Sequence, residues 1–232
     1  MNHWWVVPAA GTGRRFGTDL AKQYQLLAGK PVIVHTLERL LAVDPVGIVL
    51  VLHSEDRHWS QLALARNPRI HVVAGGAERT DSVRAGLHFL EPRVEADDWV
   101  LVHDVARPCV AAGDIRSLMN SLGDDPVGGI LAAPVSDTIK RVVNHRQIQG
   151  TEERSHLWAA MTPQMFRYGL LCRALDESQA AGLVATDESA AVESCGLAPR
   201  VVMGRRDNIK ITRPEDIAIA GAILSYQLGE TP

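Results

Sequence analysis

The chain has 232 residues, 46% of them hydrophobic, and a formal net charge of −3 at pH 7; this length suits a single domain with a well-buried core, which we expect to span residues 1–232. The near-neutral charge provides no basic field for nucleic acid or an anionic membrane, and no apolar stretch approaches the roughly 20 residues of a membrane span. Three scattered cysteines without a C-x-x-C pair, and no secretory signal pattern, lead us to expect a cytoplasmic protein.

Short apolar runs alternate along the chain with amphipathic helical patterns. Such runs are typical of strands buried on both faces of a mainly parallel sheet. In chain order, the predicted strands cover residues 4–7, 47–52, 70–74, 100–103, 130–133 and 200–203. Helices are predicted over residues 32–43, over residues 81–90 with Thr80 as N-cap, and from Pro214 onward. The alternation predicts a doubly wound α/β fold with right-handed crossovers.

The first predicted strand leads into a glycine-rich loop with clustered basic residues. The loop runs through Pro8, Ala9, Ala10, Gly11, Gly13, Arg14 and Arg15 and closes at Lys22. Small residues let backbone N–H groups approach a polyphosphate, and the basic side chains add fixed positive charge. The spacing matches neither a Walker A loop nor a dinucleotide fingerprint. We interpret the loop as a nucleoside triphosphate site; an ordinary strand-to-helix turn is the alternative, although such a turn does not need the cations.

A second polar cluster, with His103, Asp104 and Arg107, follows the fourth predicted strand. Ligands of open α/β sheets lie beyond the carboxyl ends of the strands, so Asp104 is expected at the same edge as the glycine loop. A carboxylate facing a triphosphate needs a cation in between, and Mg²⁺ or another divalent cation is the oxygen-seeking choice. Simple pairing of Asp104 with Arg107 is the alternative. Lys210 is expected on a late strand just before the last helix.

Residues 136–158 interrupt the alternation of strands and helices. Their polar, extended pattern predicts a two-stranded hairpin with its tip near residues 144–147. An isolated hairpin is marginally stable in water, so we expect this β-arm to lie on a surface, most naturally that of a second subunit in a homodimer. A mobile surface loop is the alternative.

These motifs together resemble the 2-C-methyl-D-erythritol 4-phosphate cytidylyltransferase family of the non-mevalonate isoprenoid pathway, essentially from end to end. Besides the glycine loop, the resemblance is carried by Lys22-Gln23, Gly75-Gly76, Glu78-Arg79, Asp81-Ser82-Val83, Val102-His103-Asp104, Ala106-Arg107-Pro108, Asp137-Thr138, Thr162-Pro163-Gln164, Thr186-Asp187-Glu188 and Asp207-Asn208-Ile209-Lys210. Many nucleotidyltransferases share the glycine loop, whereas the runs around Asp104 and Lys210 are narrower. The chain departs from the family pattern at Ala21, where proline is usual, and at Ala77, where a polar residue is common.

The resemblance implies a Rossmann-like nucleotidyltransferase fold and the transfer of CMP from CTP to 2-C-methyl-D-erythritol 4-phosphate, with release of pyrophosphate. It implies catalytic roles for Arg15, Lys22, Arg154 and Lys210, and a metal-binding role for Asp104. The CTP-binding residues that it implies are Pro8, Ala9, Ala10, Gly11, Gly13, Arg15, Lys22, Gly76, Ala77, Ser82, Asp104 and Ala106. The implied binding residues for the second substrate are Asp104, Arg107, Thr138, Arg154, Thr162, Thr186 and Lys210, with Thr138 and Arg154 reaching across a homodimer.

Two other functions stay open from the sequence. One is a cytidylyltransferase for another polyol phosphate, such as ribitol 5-phosphate, because the glycine loop and the Asp104 motif do not separate the two substrates. The other is a regulatory protein that binds a nucleotide without turnover. Nucleotide binding without turnover would not need Arg15, Lys22 or Asp104, so the presence of these residues favours an enzyme.

Overall fold

The computed structural model describes residues 2–11, 20–183 and 185–229. The strands are β1 (His3–Ala9), β2 (Leu26–Leu27), β3 (Lys30–Pro31), β4 (Gly47–Leu52), β5 (Ile70–Ala74), β6 (Trp99–Val102), β7 (Gly128–Pro134), β8 (Lys140–Val143), β9 (Gln147–Thr151), β10 (Trp158–Arg167) and β11 (Arg200–Met203). The α-helices are α1 (Val32–Leu41), α2 (Arg79–Leu90), α3 (Ala112–Leu122), α4 (Tyr168–Ala180), α5 (Glu188–Ser194) and α6 (Asp216–Leu228).

Seven of these strands form one twisted central sheet in the order β11-β7-β10-β6-β1-β4-β5. All neighbouring pairs are parallel except those made by β10, which runs antiparallel to both β6 and β7. The predicted doubly wound, mainly parallel α/β fold is therefore confirmed, and all six predicted strands are present. The sequence analysis missed β10 itself. Pro163 lies in its middle, where the register with β7 shifts between Ala160 and Gln164, and a proline argues against a central strand.

Helices cover both faces of the sheet because alternate strand residues point to opposite sides. In β4, Ile48 and Leu50 join a core cluster that contains buried residues of α1 and α3. Val49 and Val51 join a second cluster that contains residues of α2 and α4. All six residues of β4 are buried, which explains why its sequence is a continuous apolar run.

Two predicted helix starts and one predicted strand need correction. Helix α2 is capped by Glu78, not Thr80, through a reciprocal capping box with Asp81. Helix α6 begins at Asp216, two residues after Pro214, and the Asp216 carboxylate accepts backbone hydrogen bonds from the preceding turn. The segment around Lys210 is not a strand; its Ile211 N–H donates to the carbonyl of Ala106 at 2.8 Å instead of entering a ladder.

The predicted hairpin is present as β8 and β9, which pair with each other as a separate two-stranded sheet. Val142 lies opposite Ile148, and both apolar side chains are more than half exposed. Within the described part of the chain, no helix combines the length and apolar character needed to cross a membrane.

Candidate active site

A cavity of about 240 Å³ opens at the carboxyl edge of the central sheet. The end of β1, the segment after β6 and the first turn of α2 form its walls, which is where ligands bind in open α/β sheets. Its described lining residues are Pro8, Ala9, Ala10, Gly11, Lys22, Gln23, Gly76, Ala77, Glu78, Arg79, Ser82, Asp104, Val105, Ala106 and Lys210. Segments separated by up to about 200 residues in the sequence thus meet in one place. Asp104 was expected beside the start of the glycine loop, and the family resemblance implied Lys210 at the same site.

Most of the residues assigned to CTP binding line this cavity. Gly13 and Arg15 lie outside the described residues. Arg107 is not on the cavity wall but contacts Asp104 from behind. Thr138, Arg154 and Thr186 are exposed and do not line the cavity within this chain.

Close packing of two glycines shapes the wall formed by the start of α2. A Cβ atom at Gly75 would lie 2.6 Å from Ala10 Cβ and from Ser82 Oγ, and one at Gly76 would lie 2.3 Å from Asp81 Cβ. Only glycine lets this segment approach β1 and the helix so closely. The neighbouring backbone, together with buried Ser82, therefore presents polar groups at a fixed position beside the end of β1.

Lys22 and Gln23 connect the glycine-rich strand end to the segment before α6. Both belong to a short 3₁₀ turn, Lys22–Tyr24. The buried Gln23 amide donates to the Ala9 carbonyl at 3.0 Å, and Lys22 Nζ donates to the Ile211 carbonyl at 3.2 Å. This turn places the Lys22 ammonium group at the cavity wall.

An ionic centre forms around Asp104, which is almost fully buried. Its Oδ1 accepts from Arg79 Nε at 3.0 Å, while its Oδ2 lies 2.8 Å from Lys210 Nζ and 3.6 Å from Arg107 Nε. Burial by itself raises the pKa of this carboxyl group, but Arg79, Lys210 and Arg107 outweigh burial and hold the pKa well below its ordinary value. Arg107 is the most distant of the three cations, so the simple Asp104–Arg107 pair considered from the sequence is not the arrangement observed.

Arg79 also binds a second buried carboxylate, Glu188, which the sequence analysis did not assign to the site. Arg79 Nη1 and Nη2 donate to the two Glu188 oxygens at 2.6 and 3.0 Å, and Glu188 is only 1% exposed. The predicted helix began at residue 81, so the sequence did not place Arg79 in its first turn, and the pairing with Glu188 becomes visible only in the structure.

His103 and Thr162 form a buried polar chain behind Asp104. Burial lowers the pKa of His103 to about 4, so the ring is neutral near pH 7. Since the Arg107 carbonyl can only accept, Nε2 carries the proton and donates to it at 3.1 Å, and Nδ1 accepts from the Thr162 hydroxyl at 3.0 Å. The Thr162 oxygen in turn accepts from the Asp104 N–H at 3.1 Å.

These hydrogen bonds change the role of Thr162, which the family resemblance had assigned to binding of the second substrate. Its side chain is buried, its hydroxyl is occupied, and it does not line the cavity, so it supports Asp104 instead of facing a ligand. A hydrogen bond from Asn208 Nδ2 to the Thr162 carbonyl at 2.8 Å extends the support toward Lys210.

The residues present can hold Mg²⁺ only together with phosphate oxygens. Within the described residues, no three His, Cys, Asp or Glu side chains cluster into a metal cage. Of the two carboxylates on the cavity wall, Glu78 caps α2, which leaves Asp104. An ionised carboxylate has about four acceptor positions, so Asp104 keeps capacity beyond its contacts with Arg79 and Lys210. One carboxylate plus substrate phosphates is a usual arrangement for Mg²⁺, and the site fits it.

Known proteins match the chain over nearly its whole length. A family model described as 2-C-methyl-D-erythritol 4-phosphate cytidylyltransferase matches residues 4–226. A protein of that name from Pseudomonas putida is 50% identical over 216 residues, which cover 92% of this chain and 92% of that protein. Another from Ectopseudomonas mendocina is 50% identical over 217 residues, which cover 93% and 92%.

Solved structures agree with the sequence matches. The structure of 2-C-methyl-D-erythritol 4-phosphate cytidylyltransferase from Francisella tularensis superposes with a TM-score of 0.83 at 34% identity, covering 96% of this chain and 100% of that one. The corresponding structure from Thermus thermophilus gives a TM-score of 0.79 at 26% identity, with coverage of 96% and 98%. The chain therefore belongs to the 2-C-methyl-D-erythritol 4-phosphate cytidylyltransferase family.

Proposed function

We propose that this chain transfers CMP from CTP to 2-C-methyl-D-erythritol 4-phosphate in isoprenoid precursor biosynthesis. A phosphate oxygen of the alcohol phosphate attacks the α-phosphorus of CTP, the bond from that phosphorus to the β-phosphate oxygen breaks, and pyrophosphate leaves. The product is 4-diphosphocytidyl-2-C-methyl-D-erythritol. The observation that carries the proposal is the ionic centre at Asp104, located in a cavity that small residues at 9–11 and 76–77 also line.

The two halves of the cavity suit the two substrates. Gly76, Ala77 and Ser82 form the wall that we assign to cytosine, where backbone groups and one hydroxyl are available for base recognition. The glycine loop is assigned to the triphosphate. Lys210, on the cavity wall, supplies positive charge that a phosphate monoester requires, and we assign it to the second substrate. Arg107 is not on the wall, and we assign it an indirect role through its contact with Asp104.

The chemistry needs no general base from the protein. The second pKa of a phosphate monoester is about 6, so the nucleophile is largely dianionic near pH 7. His103 is unsuited to the role because it is buried and both ring nitrogens are engaged. Catalysis then consists of bringing anions together and stabilising charge at the α-phosphorus, which we assign to Lys22 and Arg15.

Direct attack has a simple kinetic test. Without the alcohol phosphate, the protein should not exchange labelled pyrophosphate into CTP, because no cytidylyl-enzyme forms. Exchange at a rate comparable to turnover would contradict direct attack and indicate a covalent intermediate.

Mg²⁺ is part of the proposal: Asp104 would hold it from the protein side, together with substrate phosphates. The cation would neutralise triphosphate charge during the transfer. A magnesium titration of Asp104→Asn against wild type tests this assignment. Unchanged magnesium dependence in the variant would exclude Asp104 as a ligand.

We further propose a cytoplasmic homodimer assembled through the β8–β9 arm. The exposed Val142–Ile148 pair supports an interface there, because a hairpin that leaves apolar side chains in water gains by covering them. Free Cys109, Cys172 and Cys195 support a reducing compartment. In the dimer, Thr138 and Arg154 would reach the neighbouring subunit's cavity, which accounts for their distance from the cavity of their own chain.

A further inference from the structure

Glu188 and Arg79 form an ion pair beside the cavity in which the Glu188 carboxylate is almost fully buried, and neither residue has a role in the transfer described above. Breaking such a pair leaves an uncompensated buried charge, yet replacing both members by apolar residues is often neutral or even stabilising. Stability alone therefore gives little reason to keep the pair. The location of the pair gives a functional reason to keep it, because Arg79 binds Glu188 through Nη1 and Nη2 and contacts Asp104 through Nε.

Each partner is fixed from outside the cavity. Gln164 of β10 binds the start of α5 twice: its Nε2 donates to Asp187 Oδ2 at 2.9 Å, and its Oε1 accepts from the Ser189 N–H at 2.9 Å. Glu188 lies between these two contacts and cannot shift without disturbing them. Arg79 begins α2, directly after the Gly76–Ala77 wall. Hydrogen bonds thus connect Gln164 in the central sheet, through the start of α5 and Glu188, to the Arg79 guanidinium beside the nucleotide-binding wall.

We propose that Arg79 and Glu188 are positioning residues for the transfer: Glu188 fixes the Arg79 guanidinium, and Arg79 holds Asp104 Oδ1 so that Oδ2 stays directed at Lys210 and Arg107. This inference rests on the proposed function, because it assigns Asp104 and Lys210 to the reacting groups. Arginine suits the task, because its planar fork can bind Glu188 with two nitrogens and Asp104 with the third. A lysine ammonium group has no such fork.

Kinetics separate positioning from simple structural support. We expect Glu188→Gln to lower kcat/KM for the alcohol phosphate about tenfold and Arg79→Met to lower it about 100-fold, since small misplacements of this kind carry such costs. The KM for CTP should change less than the KM for the alcohol phosphate. Arg79→Lys should not restore activity, although it keeps the charge.

The double variant Arg79→Met/Glu188→Met gives the sharpest comparison. Because Glu188 acts only through Arg79, the double variant should be no slower than Arg79→Met alone, to within about twofold. Its thermal midpoint should stay close to that of wild type, because no buried charge is left unpaired. A stable double variant with wild-type steady-state constants would overturn the proposal. If the double variant does not fold, wild-type constants in Glu188→Gln would overturn it equally.

The Arg84–Asp176 pair provides matched controls. It joins α2 to α4 at 2.5 Å, on the same helix as Arg79, and neither residue lines the cavity. Arg84→Met and Asp176→Asn should leave both KM values and kcat within about twofold of wild type. Comparable kinetic losses in these controls would show a general effect of perturbing α2 and would contradict a specific role for Arg79.

A crystal structure of Glu188→Gln tests the geometry without reference to turnover. We expect the Arg79 Nε–Asp104 Oδ1 contact to lengthen and Lys210 to move relative to Asp104. Unchanged distances would overturn the proposal. An inactive wild type would instead contradict the proposed function, while these distances would still decide whether Glu188 positions Arg79.

Discussion

At Asp104 a single buried carboxylate meets three cations that come from α2, from the turn after β6 and from the segment before α6. Its place after a buried strand predicted Asp104 at the edge of the sheet, whereas Arg107 and Lys210 were expected there only because of the family resemblance. Arg79 and Glu188 are 109 positions apart, and no local pattern links an arginine on one helix to a glutamate on another. Such pairs are found only when the packing of the helices is known.

Lys22 gives the first prediction. Lys22→Ala should reduce kcat about 10²–10³-fold, because one preorganised donor to the developing charge is lost. The dissociation constant for CTP, measured by calorimetry, should change much less. Lys30→Ala is the control, because Lys30 pairs with Glu38 on the surface and should leave both constants unchanged. Weak CTP binding combined with normal turnover at saturation would show that Lys22 binds only the ground state.

Among the elements, the strands with continuous apolar sequences were the most predictable. Burial on both faces makes the sequences of β1, β4 and β6 almost continuously apolar. The hairpin was recognisable by the opposite feature, a polar and extended sequence. Helices α3 and α4 were missed along with β10, whose sequence combines exposed and buried portions around Pro163. The start of α2 differs from the prediction by two residues because the Glu78–Asp81 capping box sets it, and α6 starts two residues after the predicted Pro214.

The contact between α2 and the sheet gives a prediction about stability. A Cβ at Gly86 would lie 2.5 Å from Val6 Cγ1, whereas a Cβ at Gly113 in α3 would meet nothing within 4 Å. Gly86→Ala should therefore destabilise the protein by about 1–3 kcal/mol through overpacking. Gly113→Ala should stabilise it by about 0.5–1 kcal/mol through helix propensity. Urea unfolding measures both, and equal effects of the two substitutions would contradict the close packing at Gly86.

At the scale of the whole molecule, the arm formed by β8 and β9 is the element through which we propose that the homodimer assembles. Its sequence predicted a hairpin, and the structure has one, with Val142 and Ile148 exposed. The cavity of one chain lacks Thr138 and Arg154, although family resemblance assigns both to the second substrate. A two-fold dimer that exchanges its arms would complete two sites at once.

Mixing experiments test that arrangement. Arg154→Ala and Lys22→Ala subunits, each nearly inactive alone, should regain activity when exchanged, because one of the two sites then contains wild-type Lys22 and wild-type Arg154. Mixing Lys22→Ala with the Lys22→Ala/Arg154→Ala double variant should regain none. If subunit exchange is confirmed and activity does not return in the first mixture, each chain uses its own Arg154 and the shared site is wrong.

A pyrophosphate-release assay identifies the two substrates of the proposed reaction. The assay is run with CTP, UTP, ATP and GTP, each with 2-C-methyl-D-erythritol 4-phosphate or ribitol 5-phosphate. We expect efficient release only with CTP and 2-C-methyl-D-erythritol 4-phosphate. Equal or faster release with ribitol 5-phosphate, preference for another nucleotide, or no turnover with any pair would contradict the proposed function.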